Sequence, residues 1–155
     1  MKNIYILFLL GVVVTTLSCE DGNKNYTEEF DSVYYYLKEG VNEFDFYSVN
    51  SAKVQTITVG RGGHGLNGVS TINLVPFTQA EMDEYNATID GDYKLLAPEY
   101  YDMPATVAFE DGVEYRNVDV VFKGNMSELA KTGEYMLPIR LEADNGTVND
   151  NKNII

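Results

Sequence analysis

Twelve tyrosines in 155 residues, with no tryptophan and a single histidine, define the chemistry open to this chain. A tyrosine joins an apolar ring to a hydroxyl. One side chain can therefore stack on the C–H face of a sugar and hydrogen-bond its rim. Tyr34 and Tyr36 flank Tyr35 in the run Val33-Tyr34-Tyr35-Tyr36-Leu37. Read as a strand, this run puts Val33, Tyr35 and Leu37 on one face and sends Tyr34 and Tyr36 outward together on the other. Tyr101 falls in a loop before a strand, where binding residues concentrate. Tyr34, Tyr36 and Tyr101 are thus the candidates for glycan contact. The alternative for all three is that their rings fill the core or pack on a short helix.

The other reactive side chains point away from catalysis. Among 24 acidic residues some pairs are inevitable. Glu28-Glu29 and Glu110-Asp111 are adjacent, however, and a pleated strand sends neighbours to opposite faces. No spacing fixes two carboxylates across a glycosidic bond. His64 stands alone in Arg61-Gly62-Gly63-His64-Gly65 and cannot build a zinc site by itself. That glycine-rich run lies between strands, without the helix N-terminus a phosphate cradle needs. Asp144-Asn145-Gly146 and Asn149-Asp150-Asn151 offer hard oxygens without the ordered spacing of a calcium loop. The expectation is a protein that is not an enzyme, with no metal and no cofactor. A net charge of −13 argues against nucleic acid, whose phosphates would be repelled.

The lone cysteine carries a different chemistry. Met1-Lys2-Asn3 is followed by the apolar run Ile4 to Val14 and then by Thr15-Thr16-Leu17-Ser18-Cys19. A basic start, a short apolar stretch and a small residue before the cut make a secretory signal. The stretch is about half of the roughly 20 residues a membrane-spanning helix needs. Leu17-Ser18-Cys19 resembles the end of a bacterial lipobox, with Thr16 where a leucine is usual. Residues 1–18 therefore read as a signal peptide, and Cys19 as the lipidated first residue of the mature protein. Two or more acyl chains would hold it firmly to a membrane. Residues 19–31 are polar and acidic and read as a flexible tether. Glu20-Asp21 resembles the acidic surface-export signal of Bacteroidetes lipoproteins, which implies an outer-membrane protein facing the exterior.

Residues 32–155 must supply the scaffold, and their length suits one domain. Period-two alternation marks strands at Ser32–Lys38, Arg116–Lys123 and Glu134–Glu142. Val118, Val120 and Phe122 share one face of the second. Tyr135, Leu137, Ile139 and Leu141 share one face of the third. Pro138 cannot donate a ladder hydrogen bond, which places that strand at an edge or at a bulge. Lys53–Val59, Val69–Pro76 and Pro104–Glu110 complete the clear strands, and Phe44–Val49 is a weaker candidate. Gly60 to Gly65, Asp111-Gly112 and Asn145-Gly146 read as turns. Thr78-Gln79-Ala80-Glu81 fits a capping box that opens a short helix over Gln79–Asn86. Six or seven strands and one helix predict an antiparallel β-sandwich of immunoglobulin type. Asn153-Ile154-Ile155 looks like the opening of a final strand that is cut short.

Four motifs in order carry a family resemblance. They are Glu84-Tyr85-Asn86-Ala87; Tyr93-Lys94-Leu95-Leu96-Ala97-Pro98-Glu99-Tyr100-Tyr101; Ala105-Thr106-Val107-Ala108-Phe109-Glu110-Asp111-Gly112; and Gly133-Glu134-Tyr135-Met136-Leu137-Pro138-Ile139. This order resembles a domain family of unknown function at the N-termini of Bacteroidetes surface lipoproteins, and it covers about residues 30–155. Ala97 before Pro98, and Glu110-Asp111-Gly112 in place of an Ala-Gly ending, depart from the family pattern. The resemblance implies an immunoglobulin-like sandwich. It also implies a place before lectin-like modules or family-18 endo-β-N-acetylglucosaminidase domains. No catalytic residue is carried across. The implied role is glycan capture or utilisation at the outer membrane, beside glycan-uptake proteins. The other reading is a structural spacer, or a fragment of a larger multidomain lipoprotein without a ligand of its own.

Overall fold

Strand β7 (Tyr115–Phe122) shows how the alternation becomes structure. Val118, Val120 and Phe122 turn into the core, while Asn117 and Asp119 face solvent. Its whole length pairs antiparallel with β2 (Lys53–Gly62), from Lys53 opposite Phe122 to Gly60 opposite Tyr115. The computed structural model describes residues 32–43, 52–63, 66, 68–152 and 154–155. The signal peptide, Cys19, the tether, the strand candidate Phe44–Val49 and His64 lie outside the described residues.

Around that pair a five-stranded sheet forms in the order β10 (Thr147–Val148), β1 (Val33–Tyr36), β2, β7, β5 (Tyr101–Asp102). A second sheet runs β6 (Thr106–Phe109), β3 (Ser70–Pro76), β9 (Ile139–Ala143). Short strands β4 (Lys94–Leu95) and β8 (Tyr135–Met136) make a parallel two-stranded ladder. Between the sheets lie Ile57, Val59, Ile72, Leu74, Val107, Phe109, Val118, Val120, Ile139 and Leu141, all buried. Each such side chain contributes roughly 1.5–3 kcal/mol by leaving water. The fold is an all-β sandwich, and Asp31–Ile155 form one compact unit.

Several boundaries differ from the sequence reading. The strand expected over Glu134–Glu142 is two strands, broken at Leu137-Pro138 because Pro138 has no N–H to offer. Beyond the break β9 lies at a sheet edge, where its proline suggested. Gly60 to Gly62 are not a turn but the last residues of β2. The sandwich is not wholly antiparallel, since β10 runs parallel to β1 and β8 to β4. Ile154 bridges to Arg140, and Ile155 exchanges backbone hydrogen bonds with Ile139.

Helix α1 spans Gln79–Ile89, three residues longer than the capping pattern and turn signals suggested. Its capping box is formed: the Thr78 N–H donates to Glu81 Oε2 at 2.7 Å, and the Glu81 N–H donates to Thr78 Oγ1. At its far end Asn86 imitates a backbone rung. Its amide donates to the Tyr93 carbonyl at 2.8 Å and its oxygen accepts the Tyr93 N–H at 3.1 Å. This clamp makes Asn86 of the Glu84-Tyr85-Asn86-Ala87 motif a structural joint between α1 and the residue that leads into β4. A second helix, α2 (Met126–Leu129), continues into a 3-10 turn over Ala130–Thr132, neither of which the sequence reading contained.

Glu81 also pairs with Arg140, which in turn bonds Glu142. The Thr78 N–H, followed by Arg140, lowers the Glu81 pKa from 4.5 to about 2. A folded-state pKa below the unfolded one gives stability that is complete above pH 4.5 and lost as pH falls towards 2. The expected result is that Glu81→Gln lowers the melting temperature at pH 7. That difference should shrink to nothing between pH 4.5 and 2. A difference constant across that window would contradict the pairing.

Candidate functional site

The three tyrosines chosen from the sequence are not together, and two face the wrong way for contact with a ligand. Tyr34 and Tyr36 are 1% and 0% exposed and belong to the core. The Tyr34 ring meets Phe109 of the opposite sheet with centroids 5.7 Å apart. Both faces of Val33–Leu37 are apolar and aromatic, so alternation alone does not say which side is inner. Tyr101 is not in a loop but in edge strand β5, opposite the buried Phe122, and it packs half-buried against the core. Burial raises its hydroxyl pKa.

Burial likewise raises the pKa of the Tyr36 hydroxyl, which has no hydrogen-bond partner among the described residues. Tyr36→Phe removes a desolvated, unpaired group. Stability should be unchanged or rise by up to about 1 kcal/mol in chemical denaturation. A loss above about 2 kcal/mol would mean that the hydroxyl is satisfied in the folded protein.

The side chain that does face outward is Tyr35. Its ring lies against β2, directly over Gly60, its cross-strand partner. A Cβ on Gly60 would stand 2.6 Å from Tyr35 Cζ, and one on Gly62 would stand 3.4 Å from Cε1. Glycine is therefore required at Gly60 for the ring to settle on the sheet. On the far side of Gly60 comes Tyr115, 48% exposed, whose hydroxyl shares a hydrogen bond with that of Tyr35. Burial, then that bond and the nearby charges of Tyr115 and Glu114, raise the Tyr35 pKa. The row Tyr35–Gly60–Tyr115 thus lays two rings across three strands.

Polar rungs continue this face along β2 and β7. Thr58 donates to Asn117 Oδ1 at 2.9 Å, and Thr56 donates to Asp119 Oδ1 at 2.7 Å. These bonds use Asn117 Oδ1 and one Asp119 oxygen, and both residues are exposed. Beyond them Lys123 pairs with Asp102 at 2.7 Å. From Tyr115 to Asp119 the face runs about 13 Å at the rise of a strand, the length of a short oligosaccharide. Aromatic rings beside fixed donors and acceptors can stack on one side of a sugar and bond its hydroxyls on another.

A cleft of about 1050 Å³ adjoins this face, sharing Thr56 and Thr58 with it and walled further by Tyr85, Tyr93, Leu96 and Met126. Its lining is mostly apolar, a poorer match to hydroxyl-rich ligands. Among the described residues no group of His, Cys, Asp and Glu is placed to hold a metal, and no helix is long and apolar enough to cross a membrane.

The sequence did hold a signal for the outer face. Two glycines spaced i, i+2 at the end of a β-branched run mark a close approach on one face of a strand. Read as a turn, they hid Tyr35. Arg61 between them was also missed. It is 1% exposed, and it donates to the carbonyls of Leu66, Gly68 and Glu110 and to Ser70 Oγ.

A family model described as an N-terminal domain matches residues 20–148. Among solved structures, one from Bacteroides ovatus, provisionally described as a carbohydrate binding protein, is similar with TM-score 0.58 and 19% identity over 78% of this chain and 34% of its own. A B. ovatus structure of unknown function is similar with TM-score 0.58 and 13% identity, covering 80% of this chain and 43% of its own. A multidomain B. ovatus protein that includes a DUF1735 domain is similar with TM-score 0.56 and 15% identity, covering 76% and 42%. At these identities the likeness establishes the sandwich. The chain spans less than half the length of each of these structures. A comparison with curated proteins finds no match.

Proposed function

We propose that this chain, which belongs to that N-terminal-domain family, is a non-catalytic surface domain that captures glycan on the outer face of its five-stranded sheet. The observation that carries the reading is the row Tyr35–Gly60–Tyr115 beside the Thr58–Asn117 and Thr56–Asp119 rungs. A flat aromatic surface with donors and acceptors alongside is the chemistry a sugar requires. The carbohydrate-binding description of one similar structure agrees with it. In this reading Cys19 is the lipid anchor, the membrane is the outer membrane, and the domain faces the exterior beside glycan-uptake proteins. Tyr34, Tyr36 and Tyr101 serve the core.

A glycan array probed with the purified chain tests the proposal. Selective binding that is lost when Tyr35 and Tyr115 are both changed to alanine supports it. Lipid labelling tests the anchor, since Cys19→Ala should abolish incorporation of labelled acyl chains. One observation favours a second reading: the similar structures are longer, and one is multidomain. Absence of binding by folded protein would favour a spacer that holds a neighbouring module away from the membrane.

A further inference from the structure

We infer that the outer face selects uncharged oligosaccharides and rejects their sulfated or carboxylated counterparts; the inference rests on the reading that this face holds glycan. Asp119 sits on the face with a threonine hydroxyl as its partner and, among the described residues, no cation. Glu114 lies close enough to Tyr35 for its charge to act on the hydroxyl, and among the described residues no cation pairs with it. Lys123, the cation next to these rungs, is held by Asp102. An anionic group on a bound sugar would therefore meet one or two carboxylates that no cation pairs with among the described residues, beside a lysine already held by Asp102.

Uncharged hydroxyls suit the same groups. The Asn117 amide donates and the second Asp119 oxygen accepts, and the two residues project from the same side of β7 about 7 Å apart. A sugar hydroxyl donates and accepts at once, so it can use both. A sulfate or carboxylate only accepts, so it would leave Asp119 facing a second acceptor. The net charge of −13 adds a repulsive field at longer range.

Calorimetry on the full chain with matched oligosaccharides, one neutral and one sulfated on the same backbone, tests the inference. At low salt the sulfated ligand should bind at least about 10-fold more weakly, and the gap should narrow as salt screens the face. It should narrow again in Asp119→Asn, which keeps an oxygen for Thr56. The readout is the ratio of the two affinities, so a general loss of binding in the variant does not confuse it. Equal affinity, or a gap that neither salt nor Asp119→Asn changes, would overturn the charge argument while leaving glycan capture intact. Failure of both ligands, and of every neutral glycan on an array, would remove glycan capture itself and the selectivity with it.

Discussion

Arg61→Met lowers the unfolding free energy of the domain by about 3 kcal/mol, although the new side chain is apolar and fits a buried site. The guanidinium ties the end of β2 to the segment that leads into β3 and to the residue that follows β6. Nη1 donates to the Gly68 carbonyl at 3.0 Å and to Ser70 Oγ at 3.2 Å. Nη2 donates to Leu66 O at 2.6 Å and Glu110 O at 2.9 Å. Arg61 Cζ lies 5.5 Å from the Phe109 ring centroid. Methionine would save the cost of burying a cation but leave four acceptors unpaired, each costing roughly 1–3 kcal/mol where water cannot reach. Arg61→Lys should recover little, because a single ammonium cannot reproduce a planar fork. Urea unfolding measures both variants. A loss below about 0.5 kcal/mol for methionine would show that the acceptors find water and that the clamp is dispensable.

Tyr35→Ala is expected to weaken glycan binding by roughly 10- to 100-fold, about 1.4–2.8 kcal/mol, the scale of a central aromatic anchor. Stability should change far less, because this ring lies on the outer face. Tyr35→Phe keeps the ring and loses only the bond to Tyr115, so it should retain most binding. Gly60→Ala is the sharper test. It removes no sugar-contacting group but puts a methyl 2.6 Å from Tyr35 Cζ, which lifts the ring from the sheet. Binding should fall in Gly60→Ala with Tyr35 still present. Unchanged affinity in both Tyr35→Ala and Gly60→Ala would remove this face as the site.

The strands that bury one apolar face beside a polar one were legible from sequence. Val118, Val120 and Phe122 oppose Asn117 and Asp119, and only one arrangement of that strand is stable. The capping box Thr78/Glu81 was legible because its chemistry is local. Strand β1 was not, since Tyr34, Tyr35 and Tyr36 suit either side of a sheet. What decides is a distant residue: Gly60, 25 positions on in the chain, gives Tyr35 a place to lie and so turns Tyr34 and Tyr36 inward. Arg61 was hidden for the same reason, because its partners at Ser70 and Glu110 come from other strands and turns. The candidate site is thus a product of register between β1, β2 and β7, which no single segment encodes.

Chemical-shift mapping of the labelled protein, titrated with a neutral oligosaccharide selected on an array, tests the central claim most directly. The account predicts saturable shifts concentrated at Tyr35, Thr56, Thr58, Gly60, Tyr115, Asn117 and Asp119. Thr56 and Thr58 also line the cleft, so saturable shifts at Tyr85, Tyr93 and Met126, or at Tyr101, without shifts at Tyr35, Gly60 and Tyr115 would contradict it.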